Sequence, residues 1–416
     1  MKKILVLGAG LFIMLSVFSA CRKETGNGPV TLSVVWFNDN NESEIFERTM
    51  KDYLDAHPNI KLDIQLLAYS DYDQKLKLMI SGGNPPDIAR LTTGSIVLFA
   101  DQCLPLDSYI SDLNELKKGF MPSMLEFANN SQGELIAFPS EATGNGMLVN
   151  KTAFKNAGID VDVISREWTW DQWQDETKKV ISANPNMKYG LALDFTIHRF
   201  ATILYQFGGH FLNTNQTGMA FASPENINAI NFFKSITDNG LVTPSVWLGS
   251  ENASELFQAG LVACHIGGSW NILSNNNNIK DFEWGAVRNP IGTTRSSVPG
   301  GKFIASFKGS KYPAEAVDFI KVFSDKKHLS EYVRDTFNMT SRVDLSVEYS
   351  SNTQDFAVFA EDLGVTPSYT AAEFKNPAVM SIQPYVREQI VEVLQEHITA
   401  EQAAANIDKE GAKYFN

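Results

Sequence analysis

Most signatures that would mark this chain as an enzyme are missing from it. There is no G-x-S-x-G turn to present a nucleophilic serine and no H-E-x-x-H pair to hold zinc. No Cys-x-x-Cys spacing occurs, and the six histidines (57, 198, 210, 265, 328 and 397) are scattered, so no metal centre is indicated. Cysteine is scarce: Cys21 stands near the start, and Cys103 and Cys264 stand in unrelated segments, where a disulfide is open but not indicated. Basic clusters are absent, and the formal charge is −13. A phosphate backbone needs such clusters, so nucleic acid is excluded as a partner. The chain has no internal repeat. Its one low-complexity patch, Asn275–Asn278, reads as an exposed turn.

The first thing present is a leader. Met1-Lys2-Lys3 is positive, and Ile4–Phe18 is an uncharged apolar run too short to span a bilayer comfortably. Ser19-Ala20-Cys21 follows, two small residues and a cysteine. That order predicts a signal over 1–20, cleavage before Cys21 and acylation of its thiol, with 21–30 as a polar tether. An ordinary secretory leader cut near Ala20 is the alternative. Either places the mature chain outside the cytoplasm, and the lipidated form is anchored to a membrane.

With the leader gone nearly 400 of the 416 residues remain, long for one core, so two lobes are expected. The first part alternates strand and helix. Thr31–Phe37 is a β-branched apolar run broken by Asn38-Asp39-Asn40-Asn41. An amphipathic helix bearing Phe46, Met50 and Tyr53 follows, capped by Asn41 or Ser43. Ile60–Leu67 is a second strand, Tyr72–Ile80 a second helix, and a third strand starts at Ile88. Such alternation implies a mostly parallel α/β sheet, whose ligands bind beyond the carboxyl ends of the strands. Those ends are Trp36–Asn41 and Leu91–Ser95.

Later punctuation is equally plain. Thr169 and Gln172 form a capping box before Trp170 and Trp173, which read as helix packing rather than sugar platforms. A helix opening at Thr196 carries His198 and Arg199 toward a strand end. Ser223-Pro224-Glu225 starts a long helix. Gly260 turns into the strand Val262–Ile266, and Gly267-Gly268 breaks it to present Trp270. At the centre, Gly133–Ile159 reads as two short strands, Leu135–Phe138 and Met147–Val149, joined by a flexible small-residue segment.

That central stretch resembles the "G-x-x-Y-A-x-P … Y-N-K-x-x-F-x-x-A-G-I" run of the family 1 extracellular solute-binding proteins of ABC importers, the group of maltose-binding protein. Ile136 and Val149 replace the tyrosines, while Pro139, Asn150-Lys151 and Ala157-Gly158-Ile159 remain. Ser81–Ile88 is similar to the family's "S-G-N-x-P-D-V", Cys103–Ile110 to "G-x-L-x-P-L-D-x-Y-I", and Glu255–Trp270 to "x-A-F-x-x-G-K-x-A-M-x-x-x-G-x-W". Arg342 falls on the arginine of "G-x-L-P-x-R", without the proline. The resemblance implies a two-lobed periplasmic-binding-protein fold of α/β class with a hinge and a cleft between lobes. Lobe 1 is expected over 31–139 and 291–340, lobe 2 over 145–290 and 341–416, and the hinge over 140–144. It also implies a monomer without cofactor or catalysis that captures a carbohydrate and hands it to membrane permease subunits.

A pyranose offers an apolar C–H face to an aromatic ring and a rim of hydroxyls to carboxylates, amides and guanidinium groups. The residues that supply these at expected loop positions are Trp36, Asn38, Asp39, Thr93, Ser95, Glu141, Asn145, Arg199 and Trp270. Gly301, of the Gly300-Gly301 pair, would let backbone approach the ligand, and Arg342 borders the cleft. Two other readings stay open: the same fold binding a glycerophosphodiester or polyamine, and an extracytoplasmic glycoside hydrolase with paired carboxylates.

Overall fold

The computed structural model describes residues 28–415; the leader and Cys21 lie outside the described residues. Eight strands are built from the β-branched and aromatic runs. They are β1 (Val30–Trp36), β2 (Ile60–Leu66), β3 (Ile88–Thr92), β4 (Phe138–Asn150), β5 (Tyr189–Leu193), β6 (Val262–Gly268), β7 (Trp284–Val287) and β8 (Pro299–Ala305). They lie in the order β2-β1-β3-β8-β4-β6-β5, with β7 also paired to β4. β1 runs parallel to β2 and β3, and β5 runs parallel to β6; β8 and β4 run antiparallel to their neighbours.

β4 organises the molecule. Its first part, Phe138–Gly144, pairs with β8, and its second part, Asn145–Asn150, pairs with β6 and β7. One strand therefore belongs to both halves of a two-lobed α/β architecture. The sequence expectation of two strands joined by a loop is corrected here. Ser140–Gly146 is strand, and all thirteen residues of β4 are buried. Small polar side chains suggest a loop locally, but backbone groups buried between two neighbours must pair, and the ladder supplies the partners. A bulge between Pro139 and Glu141 interrupts the register with β8.

The helices follow the caps. Thr169 and Gln172 make the expected capping box for the helix Trp170–Ala183, and Ser223 caps Pro224–Asp238. Trp170 and Trp173 are buried edge to face, 5.2 Å apart, which is packing. Two expectations change. The first amphipathic helix is split into Glu42–Thr49 and Lys51–Ala56. Asn275–Asn278 is no turn but the end of the helix Asn271–Asn278, with Asn275 buried and accepting from Gln258.

The last helices close the structure. Thr353–Val365 packs on β4 and β7. Tyr369–Lys375 touches the helices Thr93–Phe99 and Pro122–Ala128, and Pro377–Leu394 lies against Ile197–Gln206. This tail thus contacts both halves of the sheet. Cys103 and Cys264 are buried free thiols, and burial pushes each up to about 12, which leaves them protonated and inert.

Candidate ligand-binding cleft

Where the two halves of the sheet meet, the ends of β1, β3, β8 and β6 surround a cavity of about 400 Å³. Its walls come from both halves. Phe37, Asp39, Tyr69, Asp73, Thr93 and Lys302 stand on one side, and Thr196, His198, Arg199 and Trp270 on the other. Phe374, Met380 and Gln383 of the C-terminal helices complete the lining.

Trp270 is placed by glycine. A Cβ on Gly268 would lie 1.9 Å from the indole Cη2, so only glycine lets the ring rest over the strand end. The Gly268 amide donates to Asn271 Oδ1 at 3.0 Å, which fixes the turn. The Arg199 guanidinium lies over the ring, 4.2 Å from its centroid, and the Lys302 ammonium is 5.9 Å away. Gly301 is needed for a different reason: a Cβ there would sit 2.6 Å from the Glu141 carbonyl oxygen of the paired strand.

Beneath one wall runs a buried charge network. Arg90, fully buried, donates to the Phe37 carbonyl at 2.8 Å and to Glu141 in a short contact, and lies 3.5 Å from Asp39. Lys302 lies 3.0 Å from Asp39 and 3.7 Å from Glu141. Burial opposes ionisation of Asp39, but Lys302 and Arg90 outweigh it and hold the carboxyl below its usual value. For Lys302, burial is likewise outweighed by Asp39 and Glu141.

The opposite wall is ordered by the helix Ile197–Gln206, whose N-cap is Thr196. Burial, helped by Arg199, pushes His198 down to about 3, so its imidazole is neutral. Its Nδ1 accepts from Arg199 at 2.7 Å and from Asn145 at 3.1 Å. Arg199 also lies 3.4 Å from Asp194, which in turn contacts the buried His265 at 2.8 Å.

Five expected site residues, Asp39, Thr93, Arg199, Trp270 and Gly301, line this cavity. Glu141 and Asn145 stand directly behind it, holding Lys302 and Arg199. Ser95 is also behind the wall, donating to Asp73 at 2.6 Å. Three others are placed elsewhere. Trp36 is wholly buried against Phe46, with ring centroids 4.4 Å apart. Asn38 bonds Ser43 at the start of a helix. Arg342 is tied to Asp344 and the Ser324 carbonyl, with its guanidinium over Phe120. These three serve the core, a cap and an ion pair. Tyr69, Asp73, Lys302, Phe374, Met380 and Gln383 were not anticipated. Only Lys302, a lone lysine in an apolar strand, carried a local signal.

A second cavity of about 550 Å³ is lined by Met121, Met124, Ala142, Leu363 and Ala371 among others. Its walls are chiefly apolar and lack an aromatic ring, so it suits a hydroxyl-rich solute less well than the smaller cleft. Among the described residues no group of three or more His, Cys, Asp or Glu could hold a metal ion, and no helix is long and apolar enough to cross a membrane.

Residues 39–328 match the family model of the bacterial extracellular solute-binding proteins. A binding protein of Brucella abortus (strain 2308) is 25% identical over 363 residues, covering 84% of this chain and 85% of its own. An ABC substrate-binding protein from Listeria monocytogenes, solved with cycloalternan, is similar in fold with a TM-score of 0.76 at 19% identity, covering 93% of this chain and 99% of that one. The cyclic α-maltosyl-1,6-maltose binding protein of Arthrobacter globiformis gives 0.77 at 19% identity, with the same coverage.

Proposed function

This chain belongs to the bacterial extracellular solute-binding protein family, and we propose that it captures a sugar or oligosaccharide in the cleft described above. The observation that carries this reading is Trp270. Its indole is presented into a cavity walled by both halves of the sheet and ringed by Asp39, Arg199 and Lys302. A ring for the C–H face beside groups for the hydroxyls is what a pyranose requires. A ligand touching both walls favours the closed arrangement, with β4 flexing at 140–144. In this proposal the chain is a monomer lipidated at Cys21 and held outside the cytoplasm. Its closed form docks on ABC permease subunits, and no covalent step is involved.

The charge balance speaks against a phosphodiester ligand. Lys302 is matched by Asp39 and Glu141, and Arg199 by Asp194, so the cleft holds no surplus cation for a phosphate. The test is thermal shift and tryptophan emission of the chain without its leader against mono- and oligosaccharides. A saturable response, weakened by Trp270→Ala in a variant that still folds, is expected. No response to any saccharide would overturn the sugar assignment, and release of reducing ends would favour a glycosidase.

A further inference from the structure

The carboxylates around the cleft are not treated alike. Asp39 and Glu141 share Lys302 and Arg90, and Asp194 has Arg199. Asp73 lines the same cavity with no cation within ion-pair distance among the described residues, and its one side-chain partner is the Ser95 hydroxyl at 2.6 Å. Asp73 is exposed to the cavity's water, and partial desolvation by the protein beside its carboxyl raises its pKa. Tyr69, four residues earlier, lines the cavity too. Its ring is largely exposed, and its hydroxyl lies in the fields of Lys302, Asp73, Asp39 and Arg199.

We infer that the solute is an aminated sugar, whose ammonium sits between the Asp73 carboxylate and the face of Tyr69 while its ring stacks on Trp270. The inference rests on the saccharide reading above. Every other carboxylate at the cleft is compensated by a cation of the chain, and the ligand supplies the one that is missing. Closure would strip the remaining water from Asp73. A hydroxyl would replace that water without neutralising the charge, whereas an ammonium does both. The Tyr69 ring offers the same cation an electron-rich face. Asp73 thereby becomes the residue that decides which sugars are accepted.

The experiment compares matched pairs by titration calorimetry: glucosamine with glucose, and deacetylated chitotriose with cellotriose, on the wild type and on Asp73→Asn. The aminated member of each pair is expected to bind about tenfold more tightly or better. Asp73→Asn should abolish that preference while leaving the ligand-free melting temperature near wild type. Tyr69→Leu should reduce the preference in part. Equal affinity for aminated and neutral sugars, or a preference that survives Asp73→Asn, would overturn this inference alone. If no saccharide of either kind binds, the parent reading fails and this one falls with it.

Discussion

Gly268→Ala puts the placement of Trp270 to a direct test. The new methyl would start 1.9 Å from the indole Cη2 and 2.0 Å from Cζ3, whereas carbon atoms rest about 3.5–4.0 Å apart. The ring must therefore retreat by roughly 1.5 Å or more, because its obstacle is a methyl fixed to a buried strand. Nothing else opposes the change, since Gly268 has no positive φ. A displaced indole no longer covers the sugar's apolar face. Uncovering about 40 Å² costs ~1 kcal/mol. Losing the directed ring contact costs about 0.5–1.5 kcal/mol more. The sum corresponds to a roughly 10- to 60-fold weaker Kd. The fold should survive, because the ring borders a cavity into which it can move. The assay is calorimetric titration with the best saccharide of the panel, beside the emission maximum of the ligand-free protein. Unchanged affinity with an unchanged emission spectrum would refute the argument, since it would mean that the ring was never held over that glycine.

Three further predictions concern the groups around the cleft. Glu141→Gln leaves Arg90 and Lys302 buried with one counter-charge fewer, and a loss of about 3–5 kcal/mol is expected; a melting temperature within a degree of wild type would contradict it. Asp362 is buried and accepts from the Asn289 amide at 2.8 Å, and burial pushes its carboxyl up to about 7 from 3.8. An acid raised in the folded state costs nothing below its unfolded value and costs most once pH exceeds its folded value. Asp362→Asn should thus raise stability by about 1–3 kcal/mol at pH 8 and leave it unchanged at pH 4, read from melting temperatures at both. Trp36→Phe should leave ligand affinity within about twofold of wild type, because that ring packs on Phe46 away from the cavity; a large loss on titration would return Trp36 to the site.

Some of this was legible in the sequence because the signals were local. Gly268, which closes β6 rather than breaking it, leaves room for Trp270, the Thr196 cap carries Arg199 inward, and the break after β1 brings Asp39 to a strand end. Trp36 failed as a candidate because its place at a strand end was weighed above its period. It shares one face of β1 with Val30, Leu32 and Val34, all buried, while Thr31 and Ser33 on the other face are less covered. Ser140–Gly146 failed because loop-like composition was overridden by pairing to strands more than a hundred residues away. Phe374, Met380 and Gln383 reach the cleft only through the packing of the tail across both halves, which no local pattern encodes. Asp73 looked like any acid on the polar face of a helix until its neighbours proved to contain no cation.

The central claim is that a saccharide is held in the cleft at Trp270. Titration calorimetry of the wild type and Trp270→Ala against mono- and oligosaccharides tests it most directly. The account predicts one-to-one binding to the wild type and a loss of at least tenfold in the variant, with both proteins folded. Equal affinities in the two, or heat from no saccharide at all, would contradict it.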